Sequence, residues 1–430
     1  MSDALRVGLA GLGTVGAGVV RLLDANTALI ARRAGRSITV VAVAARDRSR
    51  DRGFDVSRFG WEDDTAALAA RDDVDAVVEL IGGSDGPALL LAERSIAAGK
   101  AFVTANKAMI AHHGLALAEA AERAGVALKY EAAVAGGVPV IKGVREGAAA
   151  NLLTEVSGIL NGTCNYILTR MEAEGSDFAD VLADAQAMGF AEADPSFDID
   201  GVDAAHKLAI LASLAFGMRL DFAGVARHGI RRVLAGDIAQ AVALGYRVRL
   251  IGLAQAGPHG LYQRVAPCLV PVAHPLASVQ GAMNAVVVEG NYVGRLLFSG
   301  AGAGEGPTAS AVVADLIDVA RGEIGPAFAM PVAALEAATR ADPGARRERA
   351  YLRFTVADRP GVLAELTAAM RDGGVSIESM SQRGETADGS AFVAMTTHVC
   401  AARAVDAALA RLDGSPSLTA KPLWMPVLES

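Results

Sequence analysis

The chain is poor in the residues that staple, anchor or metallate a protein. It has three cysteines in 430 residues, Cys164, Cys268 and Cys400, far apart and with no CxxC pair. That excludes a disulfide scaffold and suits a reducing compartment. No HxxxH or Cys/His cluster offers metal-ligand spacing, and His112-His113 reads as a solvated stretch. No apolar run reaches membrane-spanning length. The opening MSDALRVGLAG has no basic stretch followed by an apolar one, so no secretory leader is read and a cytoplasmic location is expected. Positive charge is not in surplus either. The formal net charge is -8, which argues against a general nucleic-acid surface.

What is present is a globular composition, 52% hydrophobic and 20% charged. The length exceeds one ordinary core, so roughly two or three domains are expected. The first element is a short apolar strand, Leu5–Ala10, feeding Gly11-Leu12-Gly13-Thr14-Val15-Gly16 and then a helix. This is GxGxxG in its strand–turn–helix setting. Its glycines permit a tight turn, close backbone approach to a pyrophosphate and close helix–strand packing, and the helix N-terminus favours the anion. The plainer alternative is a glycine-rich turn without a ligand. A second strand, Ile38–Ala45, ends at Arg46-Asp47-Arg48. Arg46 favours the extra phosphate of NADP, whereas Asp47 keeps NAD open. Buried strands at Val74–Ile81 and Ala101–Thr104 alternate with helices, which predicts a doubly wound Rossmann unit. Lys107 directly follows the second of these strands, at the carboxyl edge of the sheet, where ligands bind.

The middle of the chain reads as α+β, with strands at Thr154–Leu160, Tyr246–Ala254, Leu261–Val270, Ala285–Glu289 and Arg295–Phe298. Its informative stretch is Gly189–Leu214, GFAEADPSFDIDGVDAAHKLAILASL. Asp200 is suited to cap a helix running from Gly201 to Leu214, on which Asp203 and Lys207 stand four apart and share a face. A Lys beside a carboxylate near a helix N-terminus becomes an acid/base group if water is kept out. The plainer alternative is a surface ion pair. Further on, SGAGAGEGPTAS at Ser299–Ser310 precedes a helix that returns to the nucleotide domain; its glycines, Gly302 and Gly304 among them, permit close approach to a cofactor. A polar linker leads to a tail with the order βαββαβ, a ferredoxin-like module.

Taken together, GLGTVGAGV, VTANK, YEAAVAGGVP, GILNGTCNYIL, GFAEADP, DGVDAAHKL and GAGAGEGPTASAVVADL resemble homoserine dehydrogenase over about residues 5–335, and the tail resembles an ACT domain. Cys164 stands where that family more often has Thr. The resemblance implies an α/β architecture: a Rossmann domain over 1–133 completed by about 306–335, a substrate-binding and dimerisation domain over 134–305, a linker over 336–349 and an ACT domain over 350–430. It implies reversible NADP-dependent reduction of L-aspartate 4-semialdehyde to L-homoserine, with NAD possible. Lys207 would be the acid/base, with Lys107 opposite. Glu192, Asp203, Asp198 and Gly189 would meet the substrate. Gly11, Gly13, Thr14, Val15, Gly16, Arg46, Lys107, Gly302 and Gly304 would meet the cofactor. Glu131 and the carbonyls of Val134, Gly136 and Val138 would hold a sodium ion. Threonine would be the effector, bound near Asp358 and Gly361, and a homodimer or homotetramer is implied. Two rivals are a related amino-acid dehydrogenase and a non-catalytic sensor of a dinucleotide and an amino acid; paired lysines weigh against the sensor.

Overall fold

The computed structural model describes residues 4–189, 191–385 and 390–429. Six short strands, β1 (Leu5–Ala10), β2 (Ile38–Ala44), β3 (Gly60–Glu62), β4 (Ala76–Glu79), β5 (Ala101–Thr104) and β6 (Leu128–Lys129), form one sheet. They pair in parallel in the order β3-β2-β1-β4-β5-β6, the doubly wound order. The apolar runs are continuous because the sheet is covered on both faces. The strand order reverses beside β1, and the crevice beyond the carboxyl ends of the strands receives the turn after β1 and the turn after β5. The helix Glu305–Arg321 packs on the helix Thr14–Ala25, where Gly18 leaves room for Glu305 and Arg21 pairs with Glu305 at 2.6 Å. The return of the chain to the nucleotide unit thus has a physical seam.

The middle sheet holds β7 (Leu153–Ile159), β8 (Ala226–Arg227), β9 (Tyr246–Gly257), β10 (Gly260–Pro271), β11 (Met283–Gly290) and β12 (Gly294–Ala301), in the order β12-β11-β7-β9-β10-β8. Only the β8–β10 pair is parallel. The helix Val202–Phe216 crosses it and is buried along nearly its whole length. One expectation fails here: Asp200 does not cap this helix. Gly201 occupies the cap at φ 81°, a left-handed conformation that suits glycine. The Asp200 carboxylate is instead taken bidentately by Arg231, at 2.6 and 3.0 Å. A charge-assisted fork outcompetes a cap bond. Ser196–Ile199 forms a separate helical turn.

The tail folds as expected, with strands Ala350–Ala357, Ile377–Glu385, Ser390–Thr397 and Leu423–Pro426 and helices Val362–Asp372 and Ala402–Ala410. Its second sheet face is turned to the middle region. There Tyr351 donates to Asp237 at 2.9 Å and Arg353 donates to it at 2.7 Å, reaching a helix, Ala235–Ala243, that no sequence pattern marks. The polar segment before the tail is pinned: Glu348 is buried and bidentate with Arg264, at 2.5 and 3.0 Å.

Candidate active site

The glycine-rich turn fits a dinucleotide at each of its three glycines. Gly11 sits at φ 97°, and a Cβ there would lie 2.6 Å from the Leu80 carbonyl oxygen. A Cβ on Gly16 would overlap the Gly11 carbonyl. Gly13 faces open space, with nothing within 4 Å, and it is the N-cap of the helix Thr14–Ala25 without a side-chain cap. Backbone N–H groups therefore point outward at an uncrowded helix start, which is what a pyrophosphate needs. Thr14 and Val15 are the first residues of that helix. Arg46 lies just past β2, exposed and without a partner among the described residues. Asp47 is not free to meet a ribose in the same way: its carboxylate accepts from Ser49 N–H at 2.8 Å and Ser49 hydroxyl at 2.7 Å. Buried Arg52 ties the loop down, donating to the carbonyls of Leu12 at 3.0 Å and Asp47 at 2.5 Å.

A cavity of about 690 Å³ gathers Lys107, Gly189, Glu192, Asp198, Asp203, Lys207, Gly302 and Gly304, residues from three separate stretches of sequence. At its floor Asp203 is buried and holds both lysines. Its Oδ2 accepts from Lys207 Nζ at 2.7 Å, and its Oδ1 lies 3.2 Å from Lys107 Nζ. The i,i+4 spacing read from sequence makes the first contact, and the strand-to-helix turn after β5 delivers the second. Lys207 also donates to the Leu160 carbonyl at 2.8 Å. Two of the three ammonium N–H groups are so committed, which leaves one. Burial on its own would raise the Asp203 pKa, but Lys207 and then Lys107 outweigh it and hold the carboxyl below its usual range. The plainer alternative, a surface ion pair, is ruled out by this burial.

Family models match the chain in three blocks: homoserine dehydrogenase NAD-binding domain over residues 11–131, homoserine dehydrogenase over 139–317, and ACT domain over 350–415. A homoserine dehydrogenase of Pseudomonas aeruginosa is 45% identical, with 95% of each chain covered. One from Neisseria gonorrhoeae is 41% identical, with 99% of each covered. The crystal structure of a homoserine dehydrogenase from Thiobacillus denitrificans superposes with a TM-score of 0.93 at 41% identity, covering 99% of each chain. The chain belongs to the homoserine dehydrogenase family. It is an oxidoreductase acting on a CH–OH group.

Several residues of this homoserine dehydrogenase site carry no mark in the sequence pattern. Asn161 caps the helix Gly162–Glu174, and its amide donates to Asp198 at 2.7 Å and to Asp203 at 2.9 Å, joining the two carboxylates. Thr163 donates to the second oxygen of Asp198 at 3.1 Å. Phe197 lies under Lys107 Nζ, 5.7 Å from the ring centre. Asn284 donates to the Leu160 carbonyl at 3.0 Å, and its own buried oxygen has no partner among the described residues. Asn161 lies in the quoted GILNGTCNYIL stretch, and Asn284, 123 residues later, lies in none of the quoted stretches. The GILNGT segment, whose Asn ends a strand and opens a helix, is the one signal for Asn161. His206 is buried beside Lys207, and burial, then His112, pushes its pKa down to about 4. His112, read as merely solvated, stands on the helix Lys107–Ala124 with its ring 5.2 Å from that of His206.

Of the remaining expected residues, Glu131 is buried, and its carboxylate accepts from the N–H groups of Ile141 at 3.0 Å and Lys142 at 2.9 Å. Ala135 and Gly136 have φ of 56° and 54°, so the loop from Val134 to Val138 turns sharply. Gly361 caps the helix Val362–Asp372 at φ 94° with no side-chain cap, and Asp358 stands exposed before it.

Proposed function

We propose that the chain catalyses the reversible NADPH-dependent reduction of L-aspartate 4-semialdehyde to L-homoserine, with Lys207 as the proton donor. The observation that carries this is one buried carboxylate, Asp203, holding Lys107 and Lys207 together in a single cavity. A bound nicotinamide supplies the hydride. As the carbonyl becomes an alkoxide, the uncommitted N–H of Lys207 delivers the proton, and Lys107 adds positive charge where negative charge grows. Asp203 has spent both oxygens on the lysines and Asn161, so it positions these groups. Glu192, whose carboxylate has no partner among the described residues, is left to take the substrate ammonium. Asp198, held by Asn161 and Thr163, lines the same side, with Gly189 at the rim.

NADPH is preferred because Arg46 is unpaired while Asp47 is engaged by Ser49. Gly302 and Gly304 give the cofactor room on the far wall. A sodium ion is supported by the carbonyls of Val134 and Gly136, which accept no hydrogen bond among the described residues. The Glu131 carboxylate accepts two amides, and the carbonyls of Glu131 and Val138 accept the N–H groups of Val134 and Val140 at 3.4 and 2.8 Å, each oxygen keeping a lone pair for the ion. The deciding assay follows NADPH and NADH oxidation with aspartate semialdehyde. Arg46→Ala should raise the NADPH Michaelis constant about tenfold, the order expected for one lost charge-assisted contact, and leave that for NADH nearly unchanged. Equal effects on both would remove Arg46 from phosphate recognition.

The tail is assigned to feedback by threonine and to assembly. Support comes from the uncapped start of the helix at Gly361 and from the strand Ile377–Glu385, which has no neighbour on its outer edge among the described residues. Exposed Leu152, Tyr292 and Leu297 on the β7–β11–β12 side support a dimer through the middle sheet. Truncation after Thr339 should leave an active dimer that ignores threonine. Equal masses and equal threonine responses of the truncated and full-length proteins would overturn this role.

A further inference from the structure

The two lysines of the cavity stand on different domains. Lys107 begins the helix Lys107–Ala124 of the nucleotide unit, and Lys207 lies on the helix Val202–Phe216 that crosses the middle sheet. Asp203 ties them together, but an ion pair at the end of a flexible four-carbon stem is a pivot and does not fix the angle between two helices. A second contact does. Further along the same two helices His112 and His206 meet, with their Nε2 atoms 3.3 Å apart, within reach of one hydrogen bond. One imidazole donates and the other accepts. His112 is five residues beyond Lys107 and His206 three beyond Asp203. The brace thus stands about 7.5 Å along one helix and about 4.5 Å along the other from the ion pair.

The pair is set apart from ordinary core. Beside it opens a cavity of about 540 Å³, bounded by Gly83, Ser84, Lys107, Val202, Phe222 and Arg227. On that side the two helices are joined by the imidazoles and not by continuous packing. Aromatic rings hold both imidazoles in place. The Phe222 ring stands 4.9 Å from His112 and 4.3 Å from His206. Phe222 is itself anchored, because the preceding Asp221 is held bidentately by Arg340, at 2.6 and 2.7 Å. The Phe197 ring lies 5.6 Å from His206 and 5.7 Å from Lys107 Nζ, so the same box reaches the lysine. The charged groups around His206 are Asp203, Lys107 and Arg227, with Lys207 next in the chain, and His113, next to His112, is paired with Asp85 at 2.9 Å. With its pKa pushed down to about 4 by burial and then His112, the His206 ring is neutral at neutral pH. It therefore bonds His112 whether that ring is charged or not.

We propose that His112 and His206 are positioning residues for the reaction, whose contact sets the separation of Lys107 and Lys207 across the domain boundary. Neither side chain lines the cavity that holds the two lysines. The proposal rests on the reading of that cavity as the active site. Rate depends steeply on placement: a misplacement of about 1 Å costs on the order of 100-fold. Without the pair, Asp203 keeps Lys107 in the cavity but over a range of positions, and the charge that Lys107 offers a growing alkoxide falls with distance.

The test is steady-state kinetics of the full-length chain with NADPH and aspartate semialdehyde, beside thermal melting. His112→Leu and His206→Leu keep bulk and lose the hydrogen bond. Each should lower turnover about 10- to 100-fold, with the Michaelis constants within about threefold of wild type. His112→Gln and His206→Gln place an amide near Nε2 and should recover turnover to within about threefold of wild type. His112 is exposed, so its variants should melt as wild type even where those of buried His206 do not. The deciding measurement is a double-mutant cycle with Lys107→Ala. Once Lys107 is gone its placement no longer matters, so His112→Leu should cost less than about a further twofold in that background. A full additional drop there, an equal loss in the leucine and glutamine variants, or native turnover in His112→Leu overturns the proposal. Native turnover in Lys107→Ala alone would instead overturn the reading of the lysine pair as the catalytic centre, and the proposal with it.

Discussion

Two buried carboxylates, each beside a lysine, titrate in opposite directions in this molecule. Asp203, in the catalytic cavity, is held below its usual range by Lys207 and Lys107 despite its burial. Asp315, under the crossover between domains, is pushed up to about 6, chiefly by burial and only partly offset by Lys142. Glu131, beside it, is pushed up to about 7 by burial and by Asp315. Burial is similar at the two places; the ratio of charges differs. In the cavity one carboxylate serves two ammonium groups, at 2.7 and 3.2 Å. In the crossover three carboxylates, Glu131, Asp315 and Asp318, share two lysines: Lys142 is 3.6 Å from Asp315 while bonded more closely to Asp318, and buried Lys129 is 4.0 Å from Asp318. The first arrangement keeps its carboxylate ionised. The second binds protons itself.

The largest effect is expected from the proposed proton donor. Lys207→Ala should lower turnover by about 100- to 10,000-fold, with the fold and cofactor affinity retained. Near-native turnover would place the donor elsewhere, and Lys107→Ala would then be the variant to assay. Next in size is the same isosteric change made at both carboxylates. Asp203→Asn leaves two cations without their buried anion, and should destabilise the enzyme by about 3 kcal/mol, the low end for a broken buried pair because Lys107 remains partly exposed. Asp315→Asn removes one of three crowded acids, so at pH 8 it should lie within about 1 kcal/mol of wild type or above it. Urea denaturation of both variants decides the matter. Equal destabilisation would mean that burial, not charge ratio, distinguishes the sites.

The same contrast separates what the amino-acid sequence makes legible from what it hides. The parallel sheet is readable because short apolar runs alternate with helices, and GxGxxG marks the cofactor turn because Gly11 and Gly16 answer local steric demands and Gly13 leaves the helix start open. Asp203 and Lys207 are readable because helical spacing is local. Asn161 and Thr163 lie in a marked segment but their roles are not readable, and Asn284 is not marked at all, since a side chain that acts across a cavity leaves no periodic mark in its own segment. Asp200 misleads for a related reason. Its suitability as a cap is a local preference, and Arg231, 31 residues later, overrides it. The crossover acids are the hardest to read, because Glu131 and Asp315 come together only when the helix Glu305–Arg321 returns to the first domain.

The smallest prediction uses that crossover as a pH probe. An unperturbed carboxyl titrates near 4. With folded values of about 7 for Glu131 and about 6 for Asp315, the folded protein holds protons that the unfolded chain has already released. Stability falls with pH wherever the folded state binds more protons. Their contribution is therefore complete below about pH 4 and is lost as pH rises through about 6 and 7. Asp203 works the other way, since a depressed carboxyl stabilises above its unfolded value and fails only in strong acid, so it does not obscure the window. Glu131→Gln should flatten the decline in melting temperature between pH 5 and pH 8 by about 2 °C, the shift expected from roughly 1 kcal/mol in a chain of this size or smaller. The substitution keeps an oxygen for one of the two amides, from Ile141 and Lys142, that the carboxylate accepts. A variant whose melting temperature declines with pH as steeply as wild type would show that Glu131 is ionised throughout this range, and that Lys142 serves it as the lysines serve Asp203.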